Sequence, residues 1–493
     1  MTRWLHQKTK GGNNKSMKKK FIALLTALIL VVSAAGCGNS AQPTAPEENK
    51  TESEKEETET AETETADTDL QSGTERTEVT MWFWGAAPWQ QEILQKNLID
   101  VFNSSQNEYE LVVEFRSSVD DDISVALSAG EGPDIVYGSG PAFVTPYAEA
   151  GKLASLDEYA GKYGWEDLLQ TPLYNTCKVD DSLYAVPIAM FCSGLFYNKE
   201  VLDEHNWQIP GSVDELTAIC DEALEADLYP ILYGVKGWLP ALEEVPSLFF
   251  TQWAGPSAVY ECLTNQQKWN NPKMVEAVNA TNEWYQKKYL CSDLFDLSSS
   301  EAMQLFVDGG APFLFGSSSG YQRLAGFIEN DEQAAKFGFI PFPSGREGVP
   351  DPVYTLAINA TLSINAASEN KDAAAAVLNI IESQDFMEKM TAQWPGYWMT
   401  ALKDYSTVNT DGMGELGKQC VEVMRGVCDA AAESKFGYYS STFYPAATAS
   451  VMQNIDTVWY GTSTAEELLD KMDAEFAKEY ANGSVPELVQ PAK

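Results

Sequence analysis

Hydrophobic positions in this chain switch repeatedly between a two-residue and a 3.6-residue rhythm. Val79-Thr80-Met81-Trp82-Phe83-Trp84 is a β-prone apolar run, and Gly85-Ala86-Ala87-Pro88-Trp89 after it reads as a loop. Over 90–102, Ile93, Leu94, Leu98, Val101 and Phe102 share one stripe, the spacing of an amphipathic helix. Leu111-Val112-Val113-Glu114-Phe115 predicts a second strand, Val125-Ala126-Leu127-Ser128-Ala129 the end of a second helix, and Asp134-Ile135-Val136-Tyr137 a third strand. Strands and helices in alternation call for parallel pairing through right-handed crossovers. Sheets of that kind hold ligands beyond the carboxyl ends of their strands. Trp84 stands at such an end; Trp82 is expected to point to the opposite face, into the core.

The same rhythm returns later. Ala311-Pro312-Phe313-Leu314-Phe315 predicts a strand running into Gly316-Ser317-Ser318-Ser319-Gly320, with a helix starting within 321–328, and Phe337-Gly338-Phe339-Ile340 predicts another strand. Asn370 is placed to cap a helix carrying Ala376, Val377, Ile380 and Ile381. Ser463 and Thr464 each have Glu three positions on, a capping-box pattern opening a last helix that buries Leu468, Leu469, Met472 and Phe476. Two α/β lobes accommodate every element, and no internal repeat is found.

The segment ahead of Val79 follows neither rhythm. Lys18, Lys19 and Lys20 precede an apolar run over 21–32, then Ser33-Ala34-Ala35-Gly36-Cys37. A basic patch, a short apolar core and small residues predict a secretory signal with Met17 as its start. The run is too short for a spanning helix, which needs roughly 20 residues. Residues 38–78 hold 13 acidic side chains against Lys50, Lys55 and Arg76 and only one leucine. Such a segment buries too little apolar surface to offset its ordering entropy, so it is expected to act as an extended tether.

Charge narrows the function. The chain carries −39 overall, of which residues 79–493 bear −36. Nucleic acid is therefore excluded as a partner, since phosphate contacts need clustered Lys and Arg. Beyond Cys37 there are Cys177, Cys192, Cys220, Cys262, Cys291, Cys420 and Cys428, an odd number with no Cys-x-x-Cys pair, so buried free thiols are expected.

Several segments resemble the extracellular solute-binding proteins of family 1, the maltose-binding-protein-like sugar receptors. Ala126-Leu127-Ser128-Ala129-Gly130-Glu131-Gly132-Pro133-Asp134-Ile135-Val136 is similar to that family's helix-to-strand passage, and Tyr147-Ala148-Glu149-Ala150-Gly151-Lys152-Leu153 to the segment after it. Tyr184-Ala185-Val186-Pro187 with Gly194-Leu195-Phe196-Tyr197-Asn198-Lys199 resembles the crossing between lobes. Ile358-Asn359-Ala360 and Ile364-Asn365-Ala366-Ala367 with Asn370-Lys371 resemble the return. Five weak motifs in the right order along the chain make a strong match. Ala34-Ala35-Gly36-Cys37 separately resembles the lipobox of bacterial lipoproteins, with Cys37 acylated.

The resemblance implies a two-lobed periplasmic-binding-protein-like fold of type II with a ligand cleft at the hinge. Lobe 1 would comprise 79–188 and about 356–405, and lobe 2 189–355 and about 406–493, after a signal at 1–37 and a tether at 38–78. It implies a monomer, anchored outside the cell membrane, that hands a sugar or oligosaccharide to an ABC-type permease without cofactor, metal or catalysis. By the same resemblance the ligand meets Trp84, Gly85 and Ala86 after the first strand, and the loop after the third offers Ser139 and Gly140; Trp89 is a further aromatic candidate on its loop. In the second lobe the ligand meets Ser317 and Ser318, where relatives often carry a stacking Gly-Pro-Trp that this chain lacks. Tyr321 is the substitute expected there, and Tyr444 matches a late cleft aromatic; Trp398, Trp394 and Tyr397 are further loop aromatics. Sugars suit such sites because they pair apolar ring faces with hydroxyl edges.

Enzyme readings fare less well. Gly316-Ser317-Ser318-Ser319-Gly320 matches a Gly-x-Ser-x-Gly nucleophile elbow, but its histidine must follow the serine. The histidines are His6, in the leader, and His205, which precedes Ser318 in chain order. One histidine outside the leader and unclustered cysteines disfavour catalytic zinc, and no phosphate loop is present. Acidic residues are spread everywhere, so a two-carboxylate glycosidase stands as the alternative. Composition also leaves tyrosine-rich iron binding open.

Overall fold

The computed structural model describes residues 76–492. The signal, Cys37 and most of the tether lie outside the described residues. Eleven strands follow in chain order: β1 (Thr77–Trp84), β2 (Tyr109–Arg116), β3 (Ile135–Gly138), β4 (Lys178–Val179), β5 (Ser182–Leu183), β6 (Ala185–Asn198), β7 (Ile231–Leu232), β8 (Phe313–Ser317), β9 (Phe337–Pro341), β10 (Tyr354–Ile364) and β11 (Phe436–Tyr438). All but the β4–β5 ribbon join one mixed sheet of order β2-β1-β3-β10-β6-β8-β7, with β11 on β10 and β9 on β6.

The fold is two-lobed α/β because β6 and β10 serve both ends of this sheet. Ala185 to Ser193 pair antiparallel with β10, whose far half pairs with β3, completing the first lobe's layer with β1 and β2. From Ser193 onward β6 pairs instead with β8 and β9, the layer of the second lobe. The expected parallel pairing holds for β1, β2 and β3, while the strands that pass between lobes are antiparallel. Ala189 interrupts β6 with φ +59°, and the Met190 N–H leaves the ladder to donate to Met399 O at 2.7 Å. A non-glycine residue in the left-handed region bends the strand and persists only where its surroundings hold it. That bend lies where the lobes share one chain.

The helix expected over 90–102 is a rod from Pro88 to Ser105 with a π turn at Gln95–Ile99. Thr464 caps Ala465–Ala481 as expected: Glu467 N–H donates to Thr464 Oγ1, and Glu467 Oε2 accepts from Thr464 N–H. Leu468, Leu469, Met472 and Phe476 are buried. Asn370 occupies the cap of Lys371–Ile381, but its side chain makes no capping bond and donates to Glu78 O instead. Asp134 accepts from Thr80 N–H and Oγ1 and from Ser368 Oγ, tying β1 to the return strand's end.

Trp82 corrects the expected strand orientation. Residues two apart share a face of a strand, so Trp82 and Trp84 lie on one side and Val79, Met81 and Phe83 fill the core on the other. Trp82 is part-exposed, with the Arg116 guanidinium 3.5 Å above its ring. The seven cysteines of the described residues are buried and unpaired. No helix among the described residues is long and apolar enough to cross a membrane.

Candidate functional site

Two separate stretches of chain bring aromatic rings to the carboxyl end of β1. Trp84 ends the strand, and the turn behind it is closed by Ala86 N–H donating to Trp84 O at 2.7 Å. Trp89 follows Pro88, whose fixed φ suits the first helical position. Trp394 and Tyr397 arrive from far along the chain, where helix Gln384–Gln393 stops at Trp394 before Pro395 and Gly396. Gly396 has φ +90°, and a Cβ there would sit 2.9 Å from Tyr321 Cβ and 3.1 Å from Gln322 N. Only glycine lets this turn close against the second lobe.

Trp394 is the centre of the cluster. It stacks on Tyr397 at 5.2 Å and 15°, and meets Trp84 and Trp89 edge-on, each at 5.8 Å. Trp84 Nε1–H donates to Tyr397 Oη at 2.8 Å, and burial pushes the Tyr397 phenol up to about 12 despite that bond and one from Tyr137. Beyond Tyr137, burial also raises the Asp120 carboxyl, partly offset by a hydrogen bond with Ser139. One Asp120 oxygen is buried without a partner. Trp394 and Tyr397 are themselves buried, at 0% and 5% exposure, so they back the rings of Trp84 and Trp89, which stay open beside these hydrogen-bonding groups.

The facing wall belongs to the second lobe. Trp394 Nε1–H donates across to Gln322 Oε1 at 3.4 Å, and Gln322 lines a cavity of about 170 Å³ with Tyr233, Trp238, Glu244, Ser317, Ser319 and Arg323. Ser193 Oγ of β6 donates to Glu244 Oε1 at 3.2 Å, and Tyr233 Oη–H donates to Ala241 O at 2.6 Å. Burial lifts the Glu244 carboxyl to about 7, although the Ser193 hydroxyl opposes the shift. Trp238 projects at the mouth, 69% exposed. Three larger hollows, of about 220, 460 and 530 Å³, likewise contain no residue of the Trp84 cluster, and only the Gln322 cavity is hydrogen-bonded to it, through Trp394. Among the described residues no group of three His, Cys, Asp or Glu side chains is placed to hold a metal.

The expected ligand residues divide in two. Trp84 and Ser317 are part-exposed, Gly85 and Ser139 are exposed, and Trp89 is 44% exposed; all lie on these walls or the loops beside them. Ala86 is buried within its turn. Gly140, buried at φ +122°, starts helix Pro141–Glu149, where a Cβ would reach Ser441 O at 3.7 Å. The other four are built into the core, and the expectation that their side chains are free for ligand is corrected. Ser318 is 4% exposed, its Oγ accepting from Cys192 N–H. Tyr321 is buried between Phe196 and Phe339. Trp398 stacks on Phe83 at 5.5 Å and 13°. Tyr444 packs 5.0 Å from Trp269, so no pair of rings from Trp84 and Tyr444 faces across the cleft.

Sequence reasoning missed Tyr233, Trp238, Glu244, Gln322, Arg323 and Asp120. β7 consists of Ile231 and Leu232 alone, too short for periodicity to register. The Gly237-Trp238 turn, with Gly237 at φ +84°, was the one local signal of an exposed aromatic there.

Comparison with known proteins agrees with this architecture. A maltotriose-binding protein of Pyrococcus abyssi is 25% identical over 302 residues, 57% of this chain and 59% of that protein. A probable sugar-binding periplasmic protein of Brucella melitensis is 32% identical over 116 residues, 23% of this chain and 27% of that protein. The chain thus spans between about a quarter and three fifths of these relatives. Among solved structures, a chitin oligosaccharide binding protein superposes with a TM-score of 0.68 at 19% identity, over 82% of this chain and 99% of that one. The family model of the bacterial extracellular solute-binding proteins matches residues 85–388. With its lobes, shared strands and interlobe walls in place, this chain belongs to the bacterial extracellular solute-binding protein family.

Proposed function

We propose that this protein captures a sugar or oligosaccharide between its two lobes, outside the cell membrane, and passes it to an ABC-type permease. The observation that carries the reading is the cluster of Trp84, Trp89, Trp394 and Tyr397. Two remote segments converge there: the rings of Trp84 and Trp89 stay open, backed by the buried Trp394 and Tyr397, and Trp394 joins them through Gln322 to a cavity lined with hydroxyl, amide and charged groups. Sugar rings need both kinds of surface. The names of the relatives, sugar-binding and maltotriose-binding proteins, support the same class of cargo. Hinge closure about β6 and β10 would bring the walls together with no chemistry. Acylation of Cys37 and the acidic tether would hold the receptor at the membrane while leaving it reach; two acyl chains suffice for stable anchoring.

A thermal-shift screen of residues 76–493 against mono- and oligosaccharides tests the proposal. A ligand at 100 times its Kd adds about 2.7 kcal/mol, so a true cargo should raise Tm by several degrees and be recovered chemically unchanged. A full panel without any shift would refute sugar capture. Cleavage products would refute the absence of catalysis and favour a glycosidase.

A further inference from the structure

Six arginines occur in the chain, five of them among the described residues. Arg76 donates to Asn103 O, Arg116 pairs with Glu114 and Asp122, Arg346 with Glu276, and Arg425 donates to Tyr405 O and Val408 O. Arg323 is the exception: no hydrogen bond or ion pair to the protein is made by its guanidinium among the described residues. Yet it does not stand on an open convex surface. It lines the second-lobe cavity, where surrounding protein lowers its pKa even as its side chain stays open to solvent. In a chain of net charge −39, this guanidinium, with only the charge of Glu244 acting on it, is left free to receive an anion that enters the hollow.

We propose that Arg323 reads a carboxylate on the cargo, so that the sugar bound here carries a uronic acid residue. This deepens the sugar reading above and rests on it. The guanidinium fork matches a carboxylate with two parallel charge-assisted hydrogen bonds. Ser317 and Ser319 beside it, their hydroxyls 2.8 Å apart, supply partners for neighbouring ring hydroxyls. The hollow, about 170 Å³ and open at its mouth, has room for a sugar unit. Trp238 at the mouth offers a ring face on which that unit can stack, in the lobe where the expected tryptophan after β8 is missing. A phosphate ester fits less well, because it carries up to two charges against one guanidinium.

The test is a calorimetric titration of residues 76–493 with trigalacturonic acid and with its carboxyl-reduced, neutral counterpart, using inorganic phosphate as a third probe. The acidic sugar should bind at least about 10-fold more tightly than the neutral one, the scale of a charged hydrogen bond. In Arg323→Gln that ratio should collapse towards one, and in Arg323→Lys, which keeps the charge without the fork, it should survive in part. Melting curves of each variant confirm that it is folded before titration. Equal or tighter binding of the neutral sugar, or an acidic preference that persists in Arg323→Gln, would overturn the proposal and leave sugar capture standing. Binding of phosphate in place of either sugar would overturn it in favour of an anion site. Failure of both sugars here and of the whole neutral panel would overturn sugar capture as well.

Discussion

Trp89→Ala removes the most exposed ring of the aromatic platform and isolates its contribution. Trp89 is 44% exposed and meets Trp394 edge-on at 5.8 Å. A large aromatic side chain presents up to about 250 Å², so roughly 110 Å² of this ring is free for a ligand to cover. At about 25 cal/mol per Å² complete coverage would contribute close to 2.8 kcal/mol. A sugar covers part of that and presents hydroxyls at its edges, which leaves about 1–2.5 kcal/mol, or roughly 5- to 70-fold in Kd. Stability should fall by about 1–2 kcal/mol through the lost contact with Trp394, too little to unfold a domain of this size. Isothermal titration with the best sugar from the thermal-shift panel, beside a urea melt, reads both quantities. A Kd within twofold of the parent's, in a variant that is folded, would show that the platform does not touch the cargo, and the cleft assignment would fail with it.

Trp398→Ala and Tyr444→Ala should behave in the opposite way. Both rings are buried against aromatic neighbours, so each variant should lose roughly 3–5 kcal/mol of stability by denaturant melt; a stable variant with weakened binding would put the ring back in the cleft. Glu382 is a buried carboxyl whose two oxygens have no partner, and burial raises its pKa well above 4.5. The folded state therefore holds its proton longer than the unfolded one. That contribution is fully present below about pH 4.5 and is lost as pH rises towards the folded pKa, by up to about 1.4 kcal/mol per pH unit. Glu382→Gln should show a flatter stability profile between pH 4.5 and 8, and an unchanged slope would sink the assignment. On the proposed anchor, Cys37→Ala should move the protein from the membrane fraction into the medium with its sugar affinity intact; retention on membranes would count against acylation.

Periodicity and turn residues determined a good deal without any structure. The alternation of strand and helix from β1 to β3 was legible because each strand is apolar, each helix striped, and each break marked by glycine or proline. The Thr464 capping box was legible because it is satisfied within a single helical turn. The two-lobed class was legible through short motifs in a fixed order, and Trp84 and Trp89 through their place after the first strand.

Tertiary structure alone decided which aromatics are free. A tryptophan on a loop looks the same in sequence whether its ring is open, as in Trp89, or stacked on Phe83, as in Trp398. Burial depends on neighbours far away in the chain, here Phe83 for Trp398 and Trp269 for Tyr444. The same holds for Ser318, whose motif suggested chemistry and whose hydroxyl is occupied by the Cys192 N–H of another strand. Local pattern records what a segment prefers; which side chains remain for a ligand is settled by long-range packing, which uses up most of them and leaves Arg323 and Trp238 over.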